Sequence, residues 1–182
     1  MPSLTRHPAT PCDAVSAIEA EATRQGPRLL LLAYRVRRGP GDLAIPPLAA
    51  PARADGLWKH TCFEAFVRAP GSRAYFEFNL APSCEWAAYG FSGYREGVAA
   101  LDIPPPLIVW RPTPQGWELT TDLDLAGLDE LPAGGAWEVS LTAVVEEAQG
   151  RTSYWALAHP PARPDFHADA GFALTLPGPT PT

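Results

Sequence analysis

The chain has 182 residues, 46% of them hydrophobic, and a net charge of −6. That length matches a single domain able to bury roughly two-thirds of its unfolded surface, so neither a disulfide nor a metal is needed for folding. Lys59 is the only lysine and the arginines do not cluster, which excludes the cationic footprint that nucleic-acid phosphates require.

In chain order, Val15–Thr23 comes first, with an apolar spacing that fits either a helical turn or a strand. Arg28–Arg37 is a short apolar run between Gly26-Pro27 and Gly39-Pro40-Gly41, the length and flanks of a buried strand. Residues Gly39–Asp55, rich in Pro, Ala and Gly, read as a long loop. Cys62–Arg68 and Ala74–Leu80 alternate around a turn at Pro70-Gly71-Ser72, and Glu85–Ser92 follows as a third strand of an antiparallel meander. Leu107–Arg111 and Trp117–Leu123 flank a turn at Pro114-Gln115-Gly116. Leu125–Leu131 reads as a helical turn. Trp137–Glu146 and Ser153–His159 flank Gln149-Gly150, and Phe172–Leu176 is a short last strand. About nine to ten short strands punctuated by Pro and Gly, without strand–helix alternation, predict an all-β, antiparallel β-sandwich. One domain is expected over residues 1–182, its core between about 15 and 176, with a frayed Pro-rich tail at 177–182.

Cys12, Cys62 and Cys84 are odd in number and form no C-x-x-C pair, so no disulfide framework or thiolate zinc site is expected. Met1 to Cys12 lacks a cationic start followed by an apolar run, and no apolar stretch approaches a membrane span. A cytoplasmic protein with no membrane partner is the expectation.

Strand parity puts Phe76, Phe78 and Leu80 on one face and Tyr75, Glu77 and Asn79 on the other. Glu64 of the neighbouring strand should join the second face. Carboxylates and an amide exchange hydrogen bonds with hydroxyls, and aromatic rings stack on apolar C–H faces, so such a face can grip a polyol. An ordinary solvated sheet face carries the same residue types. Trp58 and His60 precede this block. After it, Trp86 and Arg95 near strand ends are better ligand candidates than Tyr89 or Phe91, which read as core; Tyr94 adjoins Arg95. His60-x-Cys62, His159 and the histidine of Pro164–His167 match no zinc spacing, and no metal is expected. No nucleophile elbow, P-loop, zincin or dinucleotide fingerprint occurs. Glu64 and Glu77, with His60, remain an alternative acid/base set for a small hydrolase or isomerase. A protein-interaction domain is a further alternative.

The runs Asp55–Val67, Tyr75–Gly97 and Tyr154–Pro160, together with Pro164–His167, resemble the bacterial DOMON-like proteins, relatives of the family-nine carbohydrate-binding modules. The resemblance implies a β-sandwich with a ligand site on or beside one sheet, for a sugar or for haem b. For a sugar it points to Trp58 and Trp86 as stacking rings and to Glu77, Asn79 and Arg95 as hydroxyl partners. For haem, relatives use an axial Met, and the only methionine here is Met1; a bis-His site from His60, His159 and His167 is the remaining arrangement. The expectation is therefore a non-catalytic module for a small polar ligand, a carbohydrate first, with no required cofactor.

Overall fold

The computed structural model describes residues 1–179. Twelve strands occur among them: β1 (Ser3–Arg6), β2 (Val15–Gln25), β3 (Leu29–Arg38), β4 (Cys62–Arg68), β5 (Tyr75–Leu80), β6 (Trp86–Phe91), β7 (Ala99–Ala100), β8 (Val109–Thr113), β9 (Gly116–Asp124), β10 (Trp137–Glu146), β11 (Thr152–Ala156) and β12 (Leu174–Leu176). They form a sandwich of two antiparallel layers. One layer runs β1-β2-β3-β9-β8; the other, called here the site sheet, runs β7-β6-β5-β4-β10-β11-β1, with β12 also paired to β10. The first strand joins the two layers: Ser3 and Leu4 pair with β2, while Thr5 and Arg6 pair with β11.

The expected β-sandwich is present, with two strands more than the sequence suggested. The additions, β1 and β7, are four and two residues long and too short to show a period. Val15–Thr23 is a strand, bulged between Val15 and Ala17, with Val15, Ile18 and Ala20 facing the core. Leu125–Leu131 forms successive turns and no helix; Arg28 donates to its Leu128 and Leu131 carbonyls. Of the tail expected to fray, residues 180–182 lie outside the described residues. Gly178 packs on the Gly134 backbone so closely that a Cβ would meet the Gly134 oxygen at 2.0 Å.

The core is filled from both layers by every second residue. Phe63, Ala65 and Val67 of β4 and Phe76, Phe78 and Leu80 of β5 meet Leu30, Leu32, Tyr34 and Val36 of β3. Parity therefore turns Glu64, Tyr75, Glu77 and Asn79 to the outside of the site sheet, as expected. They are nevertheless buried, as are Phe66 and Cys62 beside them. The cover comes from the chain itself. Residues 164–172 fold back across this face, where Phe166 and Phe172 pack with Phe66, Tyr75 and Tyr154 in a second apolar cluster.

Candidate functional site

Register aligns the polar residues. Glu64 pairs with Thr142 of β10 on one side and with Asn79 of β5 on the other; Glu77 lies opposite Phe66 and Tyr89. Glu64 and Glu77 are thus diagonal neighbours on adjacent strands. They form the floor of a cleft of about 460 Å³. Trp58, Tyr89, Phe91, Tyr154 and Phe166 give it aromatic walls, and Arg95, Asp165 and His167 close one side.

The walls are held by specific contacts. Trp58 sits on a single 3-10 turn, Leu57–Lys59, and stays 42% exposed in a T-shaped pair with Tyr89, ring centres 6.1 Å apart. The Tyr89 hydroxyl donates to Asp55 at 2.6 Å, and Arg53 lies over its ring. Burial, helped by Asp55, raises the Tyr89 phenol. On the other side, Ser92–Glu96 makes a tight turn with Tyr94 and Arg95 at its tip. Arg95 has φ +56°, a left-handed conformation that costs a residue with a Cβ roughly 1–2 kcal/mol. It is held there because its N–H donates to the Tyr75 hydroxyl at 3.1 Å and its guanidinium donates to Asp165 at 2.8 Å. Tyr94 donates to the other Asp165 oxygen at 2.5 Å. These bonds hold the Asp165 carboxyl below its ordinary range although burial opposes them.

The segment over the face is pinned through the same groups. His167 N–H donates to Asp165, and its Nδ1 lies 2.8 Å from the Tyr75 hydroxyl. Burial, with Arg95 nearby, lowers His167 to about 4. The ring is therefore neutral near pH 7, the Tyr75 hydroxyl donates to Nδ1, and Nε2–H faces Glu77 Oε2 at 3.8 Å. Burial also raises the Tyr75 phenol. Arg68 ties Asp169 at 2.6 Å, and Gly171 sits so near Ser140 that a Cβ would lie 2.9 Å from its hydroxyl oxygen.

The floor carboxyls lack cationic partners within hydrogen-bond reach. Glu77 Oε1 accepts from Asn79 at 2.6 Å; Glu64 Oε2 has one long contact from Thr142, 3.4 Å, and Oε1 has no partner. Burial raises both carboxyls above the ordinary range, Glu64 the more strongly because Glu77 adds its repulsion.

Of the expected ligand residues, Trp58, Glu64, Glu77, Arg95 and His167 line the cleft. Tyr75, Asn79 and Tyr94 stand behind them as hydrogen-bond supports. Three others require correction. Trp86 shares the parity of Ala88, faces the core between the layers, and cannot stack on a ligand in this cleft. His60 is exposed and paired to Glu146 at 2.7 Å. His159 donates to the Thr5 carbonyl at 2.8 Å and packs edge-on against His7. His60, His159 and His167 are each tied to a different partner, and of the three His167 alone lines this cleft, so a bis-His haem site there does not fit. Among the described residues no group of three His, Cys, Asp or Glu side chains is placed to hold a metal ion.

Sequence reading missed Asp165, Phe166 and Tyr154, and assigned Tyr89 and Phe91 to the core. For Tyr89 and Phe91 the signal was present: both share the parity of Glu77 through the β5–β6 pairing. Asp165 became a site residue only because 164–172 folds over the sheet.

No protein-family model matches the chain, and no curated protein matches it in sequence. Solved structures similar in fold include the following two. One is a Bacteroides uniformis ATCC 8492 protein provisionally described as carbohydrate-binding: TM-score 0.66, 18% identity, covering 90% of this chain and 78% of that one. The other is a family-nine carbohydrate-binding module from Caldicellulosiruptor kristjanssonii in complex with glucose: TM-score 0.55, 10% identity, covering 91% of this chain and 78% of that one. The chain is an antiparallel β-sandwich with the fold of the family-nine carbohydrate-binding modules.

Proposed function

We propose that the chain is a non-catalytic binding domain for a carbohydrate, taken up in the cleft on the outer face of the site sheet. The observation that carries this reading is the cleft's composition: aromatic walls led by the exposed Trp58, over a buried polar floor of Glu64 and Glu77. Its volume falls within the ~300–1,000 Å³ of small-molecule sites. Rings can stack on the C–H faces of a sugar while the floor exchanges hydrogen bonds with its hydroxyls. The fold shared with a module solved with glucose supports the same ligand class. Binding is favoured over hydrolysis because the two carboxyls sit side by side on one floor. A glycosidase places its acid and base on either side of the scissile bond.

A glycan array joined to a thermal-shift screen tests this. A carbohydrate ligand raises the melting temperature progressively as its concentration passes the dissociation constant. The absence of any sugar-dependent shift, at concentrations far above a millimolar dissociation constant, overturns the reading.

A further inference from the structure

The cleft floor offers more acceptor atoms than the protein satisfies. Glu64 is fully buried, yet its Oε1 has no partner and its Oε2 has only the long contact from Thr142. Glu77 Oε2 has His167 at 3.8 Å, beyond hydrogen-bond reach. Arg95 faces this floor and its charge lowers both carboxyls, but burial outweighs it. Arg95 is joined to Asp165, Tyr75 is a neutral phenol, and His167 is neutral near pH 7. The cleft lining thus sets three carboxyl groups, Glu64, Glu77 and Asp165, against one guanidinium.

A sugar hydroxyl brings one donor to such a floor. An ammonium brings three donors and a positive charge, in a setting that water screens poorly. The rings of Trp58, Tyr89 and Phe91 above the floor attract a cation through their π faces as well. We infer that the cleft selects a sugar bearing a free, protonated amine, with the ammonium seated between Glu64 and Glu77 and the sugar ring against the aromatic wall. The sugar half of this inference rests on the proposed function; the ammonium seat rests on the unpaired oxygens.

The proton balance follows from the geometry. Glu64 and Glu77 are diagonal neighbours whose burial raises both carboxyls, which favours retention of a proton on this floor in the free protein. The incoming ammonium replaces that proton, which leaves to solvent, and both carboxylates then accept from the ligand. Binding of an amine releases a proton, and binding of a neutral sugar does not.

Calorimetry of the intact chain at about pH 6, in two buffers of different ionisation enthalpy, tests the inference. The probes are glucosamine, glucose, N-acetylglucosamine and cyclohexylamine. Glucosamine is expected to bind about tenfold or more tighter than either neutral sugar, because its hydrogen bonds are charge-assisted. It should release roughly one proton per molecule bound. Glu64→Gln, with its fold checked by melting, should abolish the preference for glucosamine over the neutral sugars and the proton release that accompanies it; Glu77→Gln is the second variant. Proton release by the unaltered protein does not depend on either variant folding. Equal or tighter binding of glucose or N-acetylglucosamine overturns the amine inference and leaves the carbohydrate reading standing. Cyclohexylamine binding without any sugar binding overturns the carbohydrate reading and keeps the ammonium seat. No binding by any probe overturns the amine inference; the carbohydrate reading falls with it only if the glycan array is also blank.

Discussion

The two outer faces of the sandwich treat carboxylates in opposite ways. On the five-stranded layer, Glu118 of β9 lies between Arg35 of β3 and Arg111 of β8, its direct cross-strand neighbours, and is paired to both. Hydrogen bonds from Arg111 and then Arg35 hold it below the ordinary carboxylate range. On the site sheet, Glu64 and Glu77 have neutral cross-strand neighbours, lie beneath a covering segment, and are raised. Strand alternation places all three outward. What differs is the neighbour across the ladder and the cover above, and these decide whether a carboxylate braces the fold or is left for a ligand. Glu147 extends the braced class: a bond from Arg151 and the Asp13 and Ala14 amides, each at 2.9 Å, bring it to about 2 against the opposing effect of burial.

The sharpest way to break this contrast is to remove one carboxylate of each kind. Glu147→Ala strands two backbone amides and is expected to cost about 2–4 kcal/mol in chemical denaturation. Glu64→Gln should change stability by less than about 1 kcal/mol, or raise it, since no cation depends on it. Comparable losses from both would erase the distinction.

Binding should show the reverse order. Trp58→Ala is expected to weaken carbohydrate binding by about 1–2 kcal/mol in a titration, with little change in melting temperature because the ring is exposed.

The pH dependence separates the two classes by sign. Glu64 and Glu77 are raised in the folded state, so the stability they allow is full below the unfolded carboxyl pKa of ~4.3. It is lost as pH climbs through their folded values. Glu118 and Glu147 are depressed; their contribution is present above ~4.3 and is lost as pH falls, for Glu147 through about 2. Denaturation followed across pH should therefore show a decline on the upper side that Glu64→Gln flattens and an acid-side decline that it leaves alone.

The smallest effect is expected at the exposed arginines. Arg35→Ala should cost only ~0.2–1 kcal/mol, since its side chain is largely solvated and Arg111 still holds Glu118.

The period-2 pattern of β4 and β5 made the facing of Glu64, Tyr75, Glu77 and Asn79 readable from sequence, because side-chain direction within a strand is local. The same rule applied to β6 would have turned Trp86 inward and Tyr89 and Phe91 outward. Position near a strand end was a poor substitute for parity there. Burial of the polar face was not legible, because it depends on residues 164–172 returning across the sheet from some 90 residues away. For that reason Asp165 and Phe166 carried no local signal. The three histidines looked related by chemistry but lie on separate supports, and only the tertiary arrangement sorts them.

Chemical-shift mapping of the intact chain during titration with a sugar that stabilises it tests the central claim most directly. Binding in the cleft predicts perturbations clustered on Trp58, Tyr89, Phe91, Arg95, Tyr154 and His167, around the Glu64–Glu77 floor. Perturbations centred on Trp117, Arg37 and Glu118 of the opposite layer, with the site sheet unmoved, would contradict it.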